Sequence, residues 1–176
     1  MSVNFFKENC KHSSMKPVFG ICDDVADHGD TSQPAYLDEN NGENWIATVD
    51  NHYRESICFY AVDNCVTFPV REDGTSLKRC DGFLSCNDTI AFLELKSRNE
   101  YGAKWIKDAE EQLRSAIHYF EKEPVSLKFQ NKRAYAVNNM RPQSRLGQAE
   151  RMERFLEETG YLLFIKARID IYSLEG

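Results

Sequence analysis

Three charged residues stand inside two of the most apolar short runs of the chain: Asp81 in RCDGFL, and Glu94 and Lys96 at the end of TIAFLELK. An unpaired charge is expensive to bury, so each needs a partner or a task. The two runs are separated by Asn87-Asp88, a turn-prone pair, and read as consecutive antiparallel strands. Glu94 and Lys96 are two apart and therefore share a strand face, and the hairpin brings Asp81 beside them. Two converging carboxylates can hold a hard divalent cation, which offsets their repulsion. The Lys96 ammonium can then orient a water or stabilise charge developing on a phosphate, while the cation polarises the phosphoryl oxygen. This is the chemistry of metal-dependent phosphodiester cleavage, with Asp81, Glu94 and Lys96 as catalytic candidates and Asp81 and Glu94 as ligands of Mg2+ or Mn2+. The plain structural alternative is a Glu94–Lys96 salt bridge at a strand end with Asp81 as a turn-side carboxylate.

The elements around these residues follow from periodicity. SICFYAVDNCVTFPV, SLKRCDGFL and TIAFLELK are expected as three short antiparallel strands. Trp105, Ala109, Leu113, Ile117 and Phe120 then recur at helical spacing and predict an amphipathic helix packed on the sheet, ended by Pro124. A strand is centred on residues 134–137, a second helix spans 146–159 and stops at Gly160, and YLLFIKARIDIYSL closes the chain as a strand. Upstream, residues 23–44 are rich in Asp, Asn, Gly and Pro and read as acidic loop, and a helix is expected over 45–53. The pattern predicts an α/β fold, a mixed central β-sheet flanked by helices, with the later strands joined by right-handed crossovers. Residues 1–44 are expected as a loop-rich acidic segment and 45–176 as one domain.

With Asp81 and Glu94-Leu95-Lys96 on adjacent strands ahead of the helix DAEEQLRSAIHYF, the chain resembles the PD-(D/E)xK nuclease superfamily. More closely, AVDNCVTFPV, KRCDGFL, FLELK, DAEEQLRSAI and RAYAVNN are similar to a small, largely uncharacterised bacterial branch of it, a likeness that covers residue 57 to the end. The resemblance implies a restriction-endonuclease-like core in which Asp81 and Glu94 bind magnesium and Lys96 assists the attacking water. It also places Gln112 where some members carry a helix glutamine near the site. Cys80 stands where the nominal motif has proline. The upstream acid that completes the metal site is open among Glu39, Glu43 and Glu55.

The formal net charge is −6, and it is uneven: residues 1–95 carry 7 Lys and Arg against 16 Asp and Glu, and residues 96–176 carry 15 against 12. Such a surface is poorly suited to tight nonspecific binding of a polyanion. A nucleic-acid partner, DNA foremost, would approach the side bearing Lys96 and Arg98, with Arg133, Arg141, Arg145, Arg151 and Arg154 as a candidate phosphate patch and the acidic segment remote or gating. The rival from another class is a catalytically inactive nuclease-fold interaction or inhibitor protein, docking a basic protein partner through its acidic N-terminal half. No apolar run approaches the roughly 20 residues of a membrane span, so no membrane partner is expected. The N-terminus lacks an uninterrupted apolar stretch of secretory type, which makes cytoplasmic the expected location. The six cysteines are then most simply reduced thiols, and the spacing of Cys10, His12, Cys22 and His28 matches no standard zinc pattern.

Overall fold

Every residue of TIAFLELK after the first is buried, which a strand achieves only when both its faces are covered. In the computed structural model, which describes residues 1–24, 33–97, 102–140 and 147–172, this run is β7 (Thr89–Lys96), inside a six-stranded sheet. The strands before it are β1 (Lys11–Ser14), β2 (Val18–Cys22), β3 (Tyr36–Asp38), β4 (Ala47–Asp50), β5 (Ile57–Ala61) and β6 (Gly82–Cys86). After it come α1 (Lys104–Phe120), β8 (Asn131–Asn138), α2 (Ala149–Thr159), β9 (Leu162–Ile165) and β10 (Arg168–Asp170).

The larger sheet runs β1-β5-β6-β7-β8-β9. Its first four strands pair antiparallel, and β7–β8 and β8–β9 pair parallel, with α1 and α2 as the connections. A second sheet runs β10-β4-β2-β3. The fold is thus mixed α/β in three layers. On one face of the larger sheet, Phe83, Phe92 and Ala134 pack with Leu113, Ile117 and Phe120 of α1 and Phe155 of α2. On the other face, Phe59, Leu84, Leu93 and Tyr135 pack with Phe19, Ile21, Val49 and Ile169 of the second sheet. Both helices therefore cover one face, and the opposite face is closed by strands.

The predicted helix of Trp105, Ala109, Leu113, Ile117 and Phe120 buries all five side chains. The second helix ends as its sequence suggests: Gly160 has φ 78°, and its N–H donates to the Leu156 carbonyl at 2.8 Å. Four expectations need correction. Residues 1–44 contribute three strands, and Phe5 lies in the core with its ring 5.3 Å from that of Phe120. The stretch 45–53 contains a strand, β4, because Thr48 and Val49 favour extended backbone and Val49 fills the space between the sheets. The C-terminal run is two strands: β9 extends the larger sheet and β10 crosses to pair with β4. Lastly, Cys10 and Cys65 form a disulfide, while Cys22, Cys58, Cys80 and Cys86 are free thiols. Pairing of β1 with β5, Lys11 opposite Tyr60, sets Cys10 beside the chain that leaves β5, a juxtaposition that a sequence separation of 55 conceals.

The second sheet depends on one close approach. A Cβ on Gly20 would fall 1.9 Å from the Trp45 indole, so only glycine lets that ring lie across β2. The indole Nε1 in turn donates to Asp38 at 2.7 Å, which ties β3 to the entry of β4.

Candidate active site

The hairpin of β6 and β7 is registered with Gly82 opposite Leu93, so the residue before β6, Asp81, comes alongside Glu94. Asp81 Oδ2 accepts the Leu95 N–H at 2.6 Å, and the Asp81 carbonyl accepts the Val62 N–H at 2.9 Å, fixing the residue between β7 and the chain leaving β5. Gly82 makes this approach possible. A Cβ there would lie 2.5 Å from both the Phe59 ring and the Tyr60 carbonyl oxygen.

Alternation along β7 turns Leu93 and Leu95 toward the second sheet and Glu94 and Lys96 toward α1. Lys96 Nζ donates to Glu94 Oε1 at 2.6 Å and to Gln112 Oε1, on α1, at 2.7 Å. The other end of the Gln112 amide donates to the Arg79 carbonyl at 3.1 Å, which orients it. The structure therefore gathers all four residues singled out from sequence: Asp81, Glu94, Lys96 and Gln112.

Burial and like charge dominate the electrostatics. Glu94 is 2% exposed, and its Oε2 is buried with no hydrogen-bond partner among the described residues. Desolvation pushes its carboxyl up to about 7; Lys96 opposes this, and the carboxylates of Asp63 and Asp23 add to it. Burial, and then the Glu94 charge, raise the Asp81 carboxyl well above the usual range, against the Leu95 N–H and the Lys96 ammonium. Two carboxylates that both resist ionisation side by side are suited to a cation.

Asp23, just past β2, and Asp63, just past β5, are the acids that act on this pair. Neither was singled out from sequence, because each follows a strand at no fixed spacing from the hairpin. The three upstream candidates lie elsewhere. Glu39 accepts from Ser14 Oγ at 2.6 Å, Glu43 is exposed in a 3-10 turn, and Glu55 accepts from Cys86 and Asn87 at the turn end of the β6–β7 hairpin. Among the described residues no set of three His, Cys, Asp or Glu side chains is gathered for a metal ion. A pair of carboxylates still fits magnesium, which keeps most of its waters and is commonly held by one or two carboxylates with substrate phosphates. Glu94 Oε2, with no hydrogen-bond partner among the described residues, is the oxygen of this pair open to such a ligand role.

Among the described residues the candidate arginines are not gathered into one patch. Arg133 is buried on the opposite face of the sheet from Lys96, donating to the Asp170 carbonyl at 3.0 Å. Arg151 is bound to Glu110, and Arg154 is exposed on α2. Arg98, Arg141 and Arg145 lie outside the described residues. Of the cysteine and histidine quartet, Cys10 is in the disulfide, burial pushes the Cys22 thiol up to about 11, His12 Nδ1 accepts the Leu37 N–H at 3.3 Å, and His28 is outside the described residues.

No family model, no curated protein and no solved structure matches this chain. Among the described residues no helix is long and apolar enough to cross a membrane.

Proposed function

We propose that this protein is a nuclease with a restriction-endonuclease-like core of the PD-(D/E)xK type, hydrolysing phosphodiester bonds in DNA with magnesium or manganese. The observation that carries the reading is the buried, partnerless Glu94 Oε2 beside Asp81, with Lys96 on the same face. Asp81 and Glu94 would hold the cation. When bound, it supplies Lewis-acid polarisation of the phosphoryl oxygen and makes a nearby water more acidic.

The chain's own groups do the rest. Lys96 has three N–H donors, of which one goes to Glu94 and one to Gln112, leaving the third for the attacking water or a non-bridging phosphate oxygen. Gln112, anchored by the Arg79 carbonyl, keeps the ammonium aimed, so that Lys96 stabilises charge that develops in the transition state without reorganising. Glu94, its carboxyl pushed up to about 7 by burial, would release its proton above that pH and so become able to hold the cation.

The test is cleavage of linear, circular, single-stranded and branched DNA, and of RNA, with magnesium and with manganese, by wild type and Lys96→Ala. Metal-dependent cleavage of DNA that falls by 100-fold or more, on the order of one general acid–base group, in Lys96→Ala is the expected result. Absence of cleavage on every substrate with either metal would replace this reading with that of a noncatalytic docking protein.

A further inference from the structure

β7 is eight residues long, so its first residue lies about 23 Å from Lys96. At that far end the two sheets part around a half-open cavity of about 350 Å3. Its lining combines three unlike features. Arg133 is 4% exposed, and among the described residues no carboxylate is paired with its guanidinium, which donates to the Asp170 carbonyl and lies over the Phe164 ring. A buried cation without a paired anion is costly, and the flat guanidinium fork matches phosphate. Tyr53 is 71% exposed, yet its ring is held edge-on against Tyr172, centroids 4.9 Å apart, so it presents a fixed aromatic face to solvent. Two carboxylates complete the wall, each tied to an asparagine amide: Glu55 Oε2 accepts from Cys86 Sγ at 3.2 Å and from Asn87 Nδ2 at 2.5 Å, and Asp88 Oδ1 accepts from Asn131 Nδ2. Burial holds the Cys86 thiol up at about 11, so it stays a donor and Glu55 an acceptor.

We propose that this cavity is a second binding site, for a nucleoside monophosphate: the phosphate on Arg133, the base stacked on Tyr53, and the amides of Asn87 and Asn131 beside the sugar and base edge. The Asn87 amide N–H already goes to Glu55 and that of Asn131 to Asp88 at 3.2 Å, so their amide oxygens are the acceptors left for sugar hydroxyl and base N–H groups, donors that a simple aromatic carboxylate lacks. The proposal does not depend on the nuclease reading, since the cavity shares no residue with Asp81, Glu94, Lys96 and Gln112.

Calorimetric titration of adenosine, guanosine, cytidine and uridine 5′-monophosphates, and separately of inorganic phosphate, into the full chain tests it, with chelator present to silence the metal site. At least one nucleotide should saturate one site per chain. Tyr53→Ala, a change at an exposed ring, should weaken that binding about fivefold or more, the scale of one base–aromatic stack, and leave the weaker phosphate affinity unchanged. Arg133→Lys, which keeps the charge but loses the fork, should weaken nucleotide and phosphate alike. No saturation by any nucleotide at millimolar concentration, phosphate binding as tightly as the nucleotides, or affinity insensitive to Tyr53→Ala would each overturn the proposal. Loss of nucleotide binding in Asp81→Asn with none in Tyr53→Ala would place the ligand at the other site and overturn it as well.

Discussion

Lys96 Nζ and Glu94 Oε1 lie 2.6 Å apart, two residues along one strand, and both residues are buried, at 8% and 2% exposure. Desolvating such a pair costs several kcal/mol per ion unless further hydrogen bonds complete both partners. Gln112 helps complete the lysine, whereas the second oxygen of Glu94 has no hydrogen-bond partner among the described residues. The protein therefore holds an incompletely satisfied acid, for which, on the proposed function, a proton and a divalent cation would compete.

That competition has a defined sign. Glu94 titrates near 4.5 when unfolded and near 7 when folded, so the native state holds the extra proton between those values. The stability it contributes is complete below about 4.5 and is lost as pH rises through about 7. Asp81 is displaced in the same direction. Urea midpoints measured in chelator should fall between pH 5 and pH 8 by an amount equivalent to on the order of 1 to 3 kcal/mol, and the fall should shrink in Glu94→Gln. An equal fall in the variant would assign the pH dependence to other groups.

Removing one of the two carboxylates relieves their repulsion. Asp81→Asn keeps an oxygen to accept the Leu95 N–H, so its metal-free melting temperature should exceed that of wild type. Magnesium should raise the wild-type melting temperature, by the equivalent of about 2.7 kcal/mol at a hundredfold excess over Kd, and leave Asp81→Asn unmoved. Equal responses in thermal-shift curves would detach the cation from Asp81.

Gly82 connects packing to the site. Gly82→Ala forces a methyl group against the Phe59 ring and the Tyr60 carbonyl and should cost about 1 to 3 kcal/mol while weakening the magnesium response, because Asp81 shifts with β6. Leu113→Ala, in the fully buried face of α1, should cost about 2 to 5 kcal/mol. Denaturation midpoints with and without magnesium separate the two: the core variant should lose stability and keep its metal response.

The disulfide is tested by counting thiols. Denatured, unreduced protein should titrate four cysteines of six. In the chain-entropy view, opening a 55-residue separation costs about 4 kcal/mol, so reductant should lower the melting temperature of wild type and leave Cys10→Ser unaffected. Six titratable thiols without reductant would show the bond unformed.

The central strands, α1 and the grouping of Asp81, Glu94, Lys96 and Gln112 were legible in the sequence because they depend on local rules: strand parity, a hairpin turn and helical spacing. What was not legible depends on contacts between distant segments. β2 and β4 look like loop and helix until Phe19, Ile21 and Val49 find the outer face of the larger sheet. Asp23 and Asp63 reach the site only because that second sheet and the chain leaving β5 converge beside it. Arg133 reads as a surface cation, but its position in β8 turns it inward, away from Lys96. The first 44 residues read as loop for the same reason: their acidic composition is real, yet with three strands and Phe5 in place they cannot be removed without opening the core.

The most direct measurement is calorimetric titration of manganese into wild type and Asp81→Asn at pH 8 and pH 5.5. If Asp81 and Glu94 share a cation, wild type binds one ion per chain, more weakly at pH 5.5 because protons occupy the carboxylates, and Asp81→Asn loses that ion at both pH values. No binding by wild type at pH 8, or binding that survives Asp81→Asn undiminished, would contradict a metal site on these two residues.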